Sequence, residues 1–99
     1  MRRGTTPKHT FTLPFDTSAV AKARVIYAQG DVVKVVKKEA DCELSGNTIS
    51  VKLTQADTLR LNHKLKTDIQ VRVVTHDKDA FASDIITVST KQCLSDEVL

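Results

Sequence analysis

Thr67-Asp68-Ile69-Gln70-Val71-Arg72-Val73-Val74-Thr75 alternates apolar with polar side chains, the period of a strand with one dry and one wet face. Further on, the run from Phe81 to Thr90 is rich in Ile, Thr and Val, whose β-branched side chains suit a pleated surface better than a helix. Between them, His76-Asp77-Lys78-Asp79-Ala80 is polar and of a length that closes hairpins. Thr67–Thr90 is therefore expected to be one long β-hairpin, with the rest of the chain arranged around it.

The 99 residues suffice for a single domain, 1–99, with one modest core. At 40% hydrophobic and 27% charged, the composition is that of a globular chain rather than a disordered one. The net charge of +3 is too mild to argue for a polyanionic partner. No apolar run approaches the roughly 20 residues of a membrane helix. Met1 to His9 is basic and lacks the apolar centre of a signal peptide, so a cytoplasmic protein with no membrane contact is expected. In that compartment Cys42 and Cys93 are expected as free thiols, with a disulfide only as a by-product of oxidation.

Upstream of the hairpin, residues 1–6 offer little to hold them and are expected to form a mobile arm. His9-Thr10-Phe11-Thr12-Leu13 alternates with Phe11 and Leu13 inward, and Pro14 ends this strand or keeps it at an edge. The next segment has two readings. A helix capped by Asp16 or Ser18 could reach Gln29 and stop at Gly30. The strand-like Arg24-Val25-Ile26-Tyr27 instead favours a helical turn near 17–21 and a strand from Lys22 to Gln29, turning at Gly30-Asp31 into a partner strand ending at Lys38. Glu39-Ala40-Asp41 is a link, Cys42-Glu43-Leu44 a short strand, and Ser45-Gly46-Asn47 a turn. Thr48 to Leu53 alternates with Ile49, Val51 and Leu53 inward. Thr54 then caps a short helix, with Asp57 three residues on in the place of a capping-box acid. Leu59 and Leu61 should tuck beneath the sheets and Leu65 plug the bottom. Residues 92–99 read as an acidic tail.

Short strands punctuated by turns every eight to twelve residues describe an all-β antiparallel sandwich of about seven strands, with one or two short helical turns. No catalytic motif accompanies them. The histidines and cysteines lack zinc spacing, and His76-Asp77-Lys78-Asp79 lacks the later glycine and glutamate of a calcium loop. The three glycines form no phosphate-binding loop. No catalytic, cofactor-binding or metal residues and no small-molecule substrate are expected.

Two surface features remain. Lys22, Arg24, Lys34, Lys37 and Lys38 cluster on the 22–38 hairpin, with Lys34, Lys37 and Lys38 as a candidate basic patch for nucleic acid or another polyanion, but aromatics for stacking are scarce, and lysines also guard exposed strands against edge pairing. More unusual, the 22–38 hairpin is apolar on both faces, with Val33 and Val35 on one side and Val32 and Val36 on the other. Either a bulge or the chain's own loops account for this, or Ile26 and Val36 pack on another subunit with Lys34 and Lys38 at the rim. Ile26, Lys34, Val36 and Lys38 are thus the candidate interface.

Three stretches carry a resemblance: Phe11-Thr12-Leu13-Pro14-Phe15-Asp16-Thr17-Ser18, Asn47 through Gln55, and Ile69-Gln70-Val71-Arg72-Val73, followed by Ala82 to Ser89. Over most of residues 7–90 the chain resembles the immunoglobulin-like N-terminal domain of phage baseplate upper proteins, and more closely short proteins of prophage tail modules. The long coiled or receptor-reaching parts of the baseplate proteins have no counterpart in these residues. The resemblance implies an immunoglobulin-like sandwich and a non-catalytic structural or adaptor protein of a phage tail or baseplate. It would be made in a bacterial cytoplasm and carried into the virion, with itself or other tail proteins as partners and nucleic acid as the rival.

Overall fold

The computed structural model describes residues 1–99, and they form eight strands in two antiparallel sheets. Strands β1 (Lys8–Thr12), β4 (Cys42–Ser45) and β5 (Thr48–Lys52) make one sheet in the order β1-β5-β4. Strands β2 (Val20–Gln29), β3 (Val32–Lys38), β6 (Thr67–Thr75), β7 (Ala80–Ala82) and β8 (Ile86–Val88) make the other. There β3, β2 and β6 lie side by side, and β7 and β8 share the far edge of β6. The fold is an all-β sandwich. Counting β7 and β8 as one interrupted strand leaves seven, in the immunoglobulin order B-E-D against C′-C-F-G.

Alternation builds the core. Ala23, Val25 and Tyr27 of β2, with Ile69, Val71 and Val73 of β6, point at Ile49 and Val51 of β5, and all are buried. A β-branched side chain removed from water here contributes about 1.5–3 kcal/mol, so β2, β5 and β6 hold the two layers together. A single 3-10 turn at Thr17–Ala19, capped by the Asp16 carboxylate, precedes β2. The long-helix alternative for this region is not adopted: the β-branched residues of β2 are satisfied by pairing on both sides, with β3 and β6.

The hairpin forms, but its second arm is broken. Ser83 donates its backbone N–H to the Val71 carbonyl at 2.8 Å and accepts the Val71 N–H on Oγ at 2.9 Å. A side chain thus replaces a ladder carbonyl, and Asp84-Ile85 leaves the sheet before β8 resumes pairing at Ile86.

Helix α1 (Gln55–Leu59) starts in the expected capping box. Thr54 Oγ1 accepts the Asp57 N–H at 3.1 Å, and Asp57 returns a carboxylate to the Thr54 N–H at 2.9 Å. Below it Leu61 is buried, whereas Leu65, expected as the plug, is exposed. Its place is taken by the buried amide of Gln29. Its Oε1 accepts the Asn62 N–H at 2.7 Å, and its Nε2 donates to the Asn62 carbonyl at 2.9 Å, with Thr67 and Thr90 Oγ1 both at 3.3 Å.

Residues 1–6, expected as a mobile arm, have a docked position. The Met1 ammonium donates to the Ser89 carbonyl, Arg2 bridges to Lys91 in parallel, and Arg3 pairs with Asp96 and the Leu59 carbonyl. Both cysteines are free.

Candidate functional site

The reactive side chains gather between the sheets. His9 Nδ1 lies 2.7 Å from the Tyr27 hydroxyl, and the Lys37 ammonium lies 2.8 Å from the Asp57 carboxylate. Burial, helped by the Met1 ammonium, lowers the His9 pKa. Burial, with the charges of Cys42 and Asp57, raises that of Tyr27. The Cys42 thiol is also pushed up, by burial and then by Asp41 and Glu39 against a smaller opposing effect of Lys37. All three are held neutral, the reverse of what an activated thiolate nucleophile requires. Burial raises the Asp57 pKa, but the hydrogen bond from Lys37, those from Thr54 and the Lys37 charge together leave it lowered. That pair is ionic. No group of three or more His, Cys, Asp and Glu side chains comes close enough to hold a metal ion.

The outer surfaces of the two sheets differ. On the three-stranded sheet the outward positions are Lys8, Thr10 and Thr12 of β1, Ser50 and Lys52 of β5, and Glu43 of β4, the polar face ordinary alternation provides. On the larger sheet, antiparallel partners share a face, so the register brings Ile26, Ala28, Val33, Val36, Val74 and Ile85 to the same outer side. Val33 is 56% exposed, Val36 45% and Ile85 61%. Such an uncovered apolar sheet face is a surface that association could bury.

A bulge adds Val33 to it. Tyr27 pairs with Val35 and Ala28 with Val33, leaving Lys34 as the extra residue. Beyond it the alternation of β3 is inverted, so Val33 joins Val36 on the outer face rather than sharing the inner side with Val35. Of the sequence-level alternatives, the bulge is present, and it accounts for the outward turn of Val33.

Of the candidate interface residues, Ile26 and Val36 are direct cross-strand partners on this face. Lys38 lies beside Arg24 one pair further along, and Lys34 sits half-buried at the bulge. The patch Lys34/Lys37/Lys38 does not assemble. Lys37 shares the inner face with its partner Val25 and is bound to Asp57, because adjacent strand residues point to opposite sides.

A different cationic row takes its place. Lys38 pairs with Arg24 and Arg24 with Arg72, while Lys22 pairs with Val74 alongside. Only Arg24 of these four has an acid partner, Glu39, at 2.7 Å. Arg24, Lys22 and Arg72 line a shallow depression of about 180 Å³ with Val74 and Ala80. At the opposite end, Asp31 and Asp68 border a smaller depression of about 110 Å³ with Ile26, Ala28, Gln70 and Ile85. The face therefore runs from a basic end through an apolar middle to an acidic end. Arg72, Asp68 and Ile85 lay outside the sequence reading, since only the strand register places them beside the 22–38 hairpin. Comparison of the chain with protein-family models, curated proteins and solved structures gives no match.

Proposed function

We propose that this protein is a non-catalytic structural or adaptor component of a phage or prophage tail or baseplate, working through protein–protein contacts on the outer face of its larger sheet. The observation that supports it is the surface of exposed Val33, Val36 and Ile85 around half-buried Ile26, on one side of a sandwich whose other side is polar. The tail assignment rests on the resemblance of residues 7–90 to baseplate upper proteins. The test is to induce the prophage of the encoding bacterium, fractionate tails and assembly intermediates, and detect this chain by mass spectrometry. It is expected in one of those fractions and diminished there by Val36→Lys. Absence from both defeats the proposal.

The row Lys22, Arg24, Lys38 and Arg72 favours a second reading, a small polyanion-binding domain. That reading expects DNA binding that survives physiological salt, with Arg72→Ala lowering the salt slope by about one. No retention at that salt removes it.

A further inference from the structure

We infer that the occupant of the outer face is a second copy of this chain, stacked face to face about a two-fold axis running across the strands at the level of Ile26. The inference deepens the protein-contact reading above and rests on it.

The charge layout selects the geometry. Two identical sheet faces can meet about a two-fold axis in the plane between them, directed either along the strands or across them. An axis along the strands lays the Lys22/Arg24/Arg72/Lys38 end on itself, which like-charge repulsion opposes. An axis across the strands reverses their direction and lays the basic end on Asp31 and Asp68. On β2 the midpoint between Arg24 and Ala28 is Ile26, whose neighbours across the sheet are Val36 and Gln70. An axis there sets Ile26 and Val36 against their own counterparts. Arg72, two residues beyond Gln70, then meets Asp68, two residues before it, in the other copy, and Lys22 reaches toward Asp31. The two-fold makes every such contact occur twice.

The dimensions are those of a modest interface. From Lys22 to Asp31 a strand covers about 30 Å, and four strand positions across the sheet span about 15–19 Å between the outer ones and their flanks. Each copy thus buries about 500 Å², roughly 1,000 Å² in total, which is the lower bound of specific interfaces. For so small an interface we expect a weak dimer, dissociating in about the micromolar range. The stacking also gives Arg72, the end of the cross-strand row Lys38–Arg24–Arg72, an acid opposite it in the other copy.

Sedimentation equilibrium between about 5 and 500 μM tests it, choosing concentrations that bracket a micromolar constant. Wild type is expected to dimerise, Val36→Lys to be monomeric, and Arg72→Asp to bind at least about tenfold more weakly. Arg72→Asp combined with Asp68→Arg should return the dissociation constant to within about threefold of wild type, because the two swapped charges face each other across the axis. Circular dichroism melts confirm that each variant is folded; should Arg72→Asp not fold, Asp68→Lys tests the same contact. A wild-type monomer throughout, or a dimer indifferent to Val36→Lys, overturns the inference. A monomer still recovered in tail fractions does so while leaving the proposed function intact; absence from those fractions defeats the function itself.

Discussion

Lys37 shows how much depends on which side of a strand a residue occupies. Its neighbours Val36 and Lys38 face outward, yet its ammonium reaches Asp57 with little exposure of either side chain, 18% and 14%. Asp57 also caps α1 through the Thr54 N–H. Asp57→Asn therefore leaves a half-buried ammonium without its counter-charge, and chemical denaturation should show a loss of about 1–2 kcal/mol. Adding Lys37→Met to that variant should recover part of it, since the stranded charge is then gone. His9 provides a pH signature. His9 Nδ1 and the Tyr27 hydroxyl share a hydrogen bond, and burial keeps the His9 pKa below its ordinary 6.5. The unfolded chain then binds the extra proton first, so this contribution is complete above pH 6.5 and is lost as the pH falls from there through the folded value. Melting midpoints should drop between pH 7.5 and 5.5, and His9→Gln should flatten that drop. Asp16, Glu39 and Asp57 are shifted down from already acidic values and lie outside this window.

At the scale of elements, alternation in β1, β5 and β6 could be read directly, because each keeps strict period over its length and buries one face. The cap of α1 was equally legible, being local chemistry between Thr54 and Asp57. Two interruptions were not. The extra residue in β3 is invisible in Val32-Val33-Lys34-Val35-Val36, where every register leaves valines on both sides. Only pairing with β2, anchored by Tyr27 and Val35 in the core, assigns the bulge to Lys34. The break between β7 and β8 depends on one hydroxyl reaching one backbone amide across the sheet. Ser83→Ala leaves the buried Val71 N–H without its acceptor, and equilibrium unfolding should register about 1–2 kcal/mol of destabilisation. An unchanged midpoint would mean that a backbone carbonyl or water replaces Oγ at no cost. Gln29 was hidden for a related reason: as the last residue of β2 it reads as a solvated strand end, yet it is buried and ties the 62–65 loop to Thr67 and Thr90.

For the molecule as a whole, the two outer surfaces obey different rules. One is built from Thr, Ser, Lys and Glu. The other pairs an apolar centre with charge of opposite sign at its two ends. Val33, Val36 and Ile85 lie outside the core and are exposed in the single chain, so the proposed dimer is what would bury them. Association of the native state alone stabilises it by mass action, which ties melting to concentration. Above the dimer dissociation constant each tenfold rise in concentration adds about 0.7 kcal/mol per protomer, or about 3–5 °C in the midpoint for a domain of this length. The wild-type midpoint should therefore climb with concentration by that amount, whereas that of Val36→Lys should stay level. The contrast separates the outer face from the core: a Val36 that packed inside would lower the midpoint at every concentration alike, and a face that stays in water would leave both proteins flat.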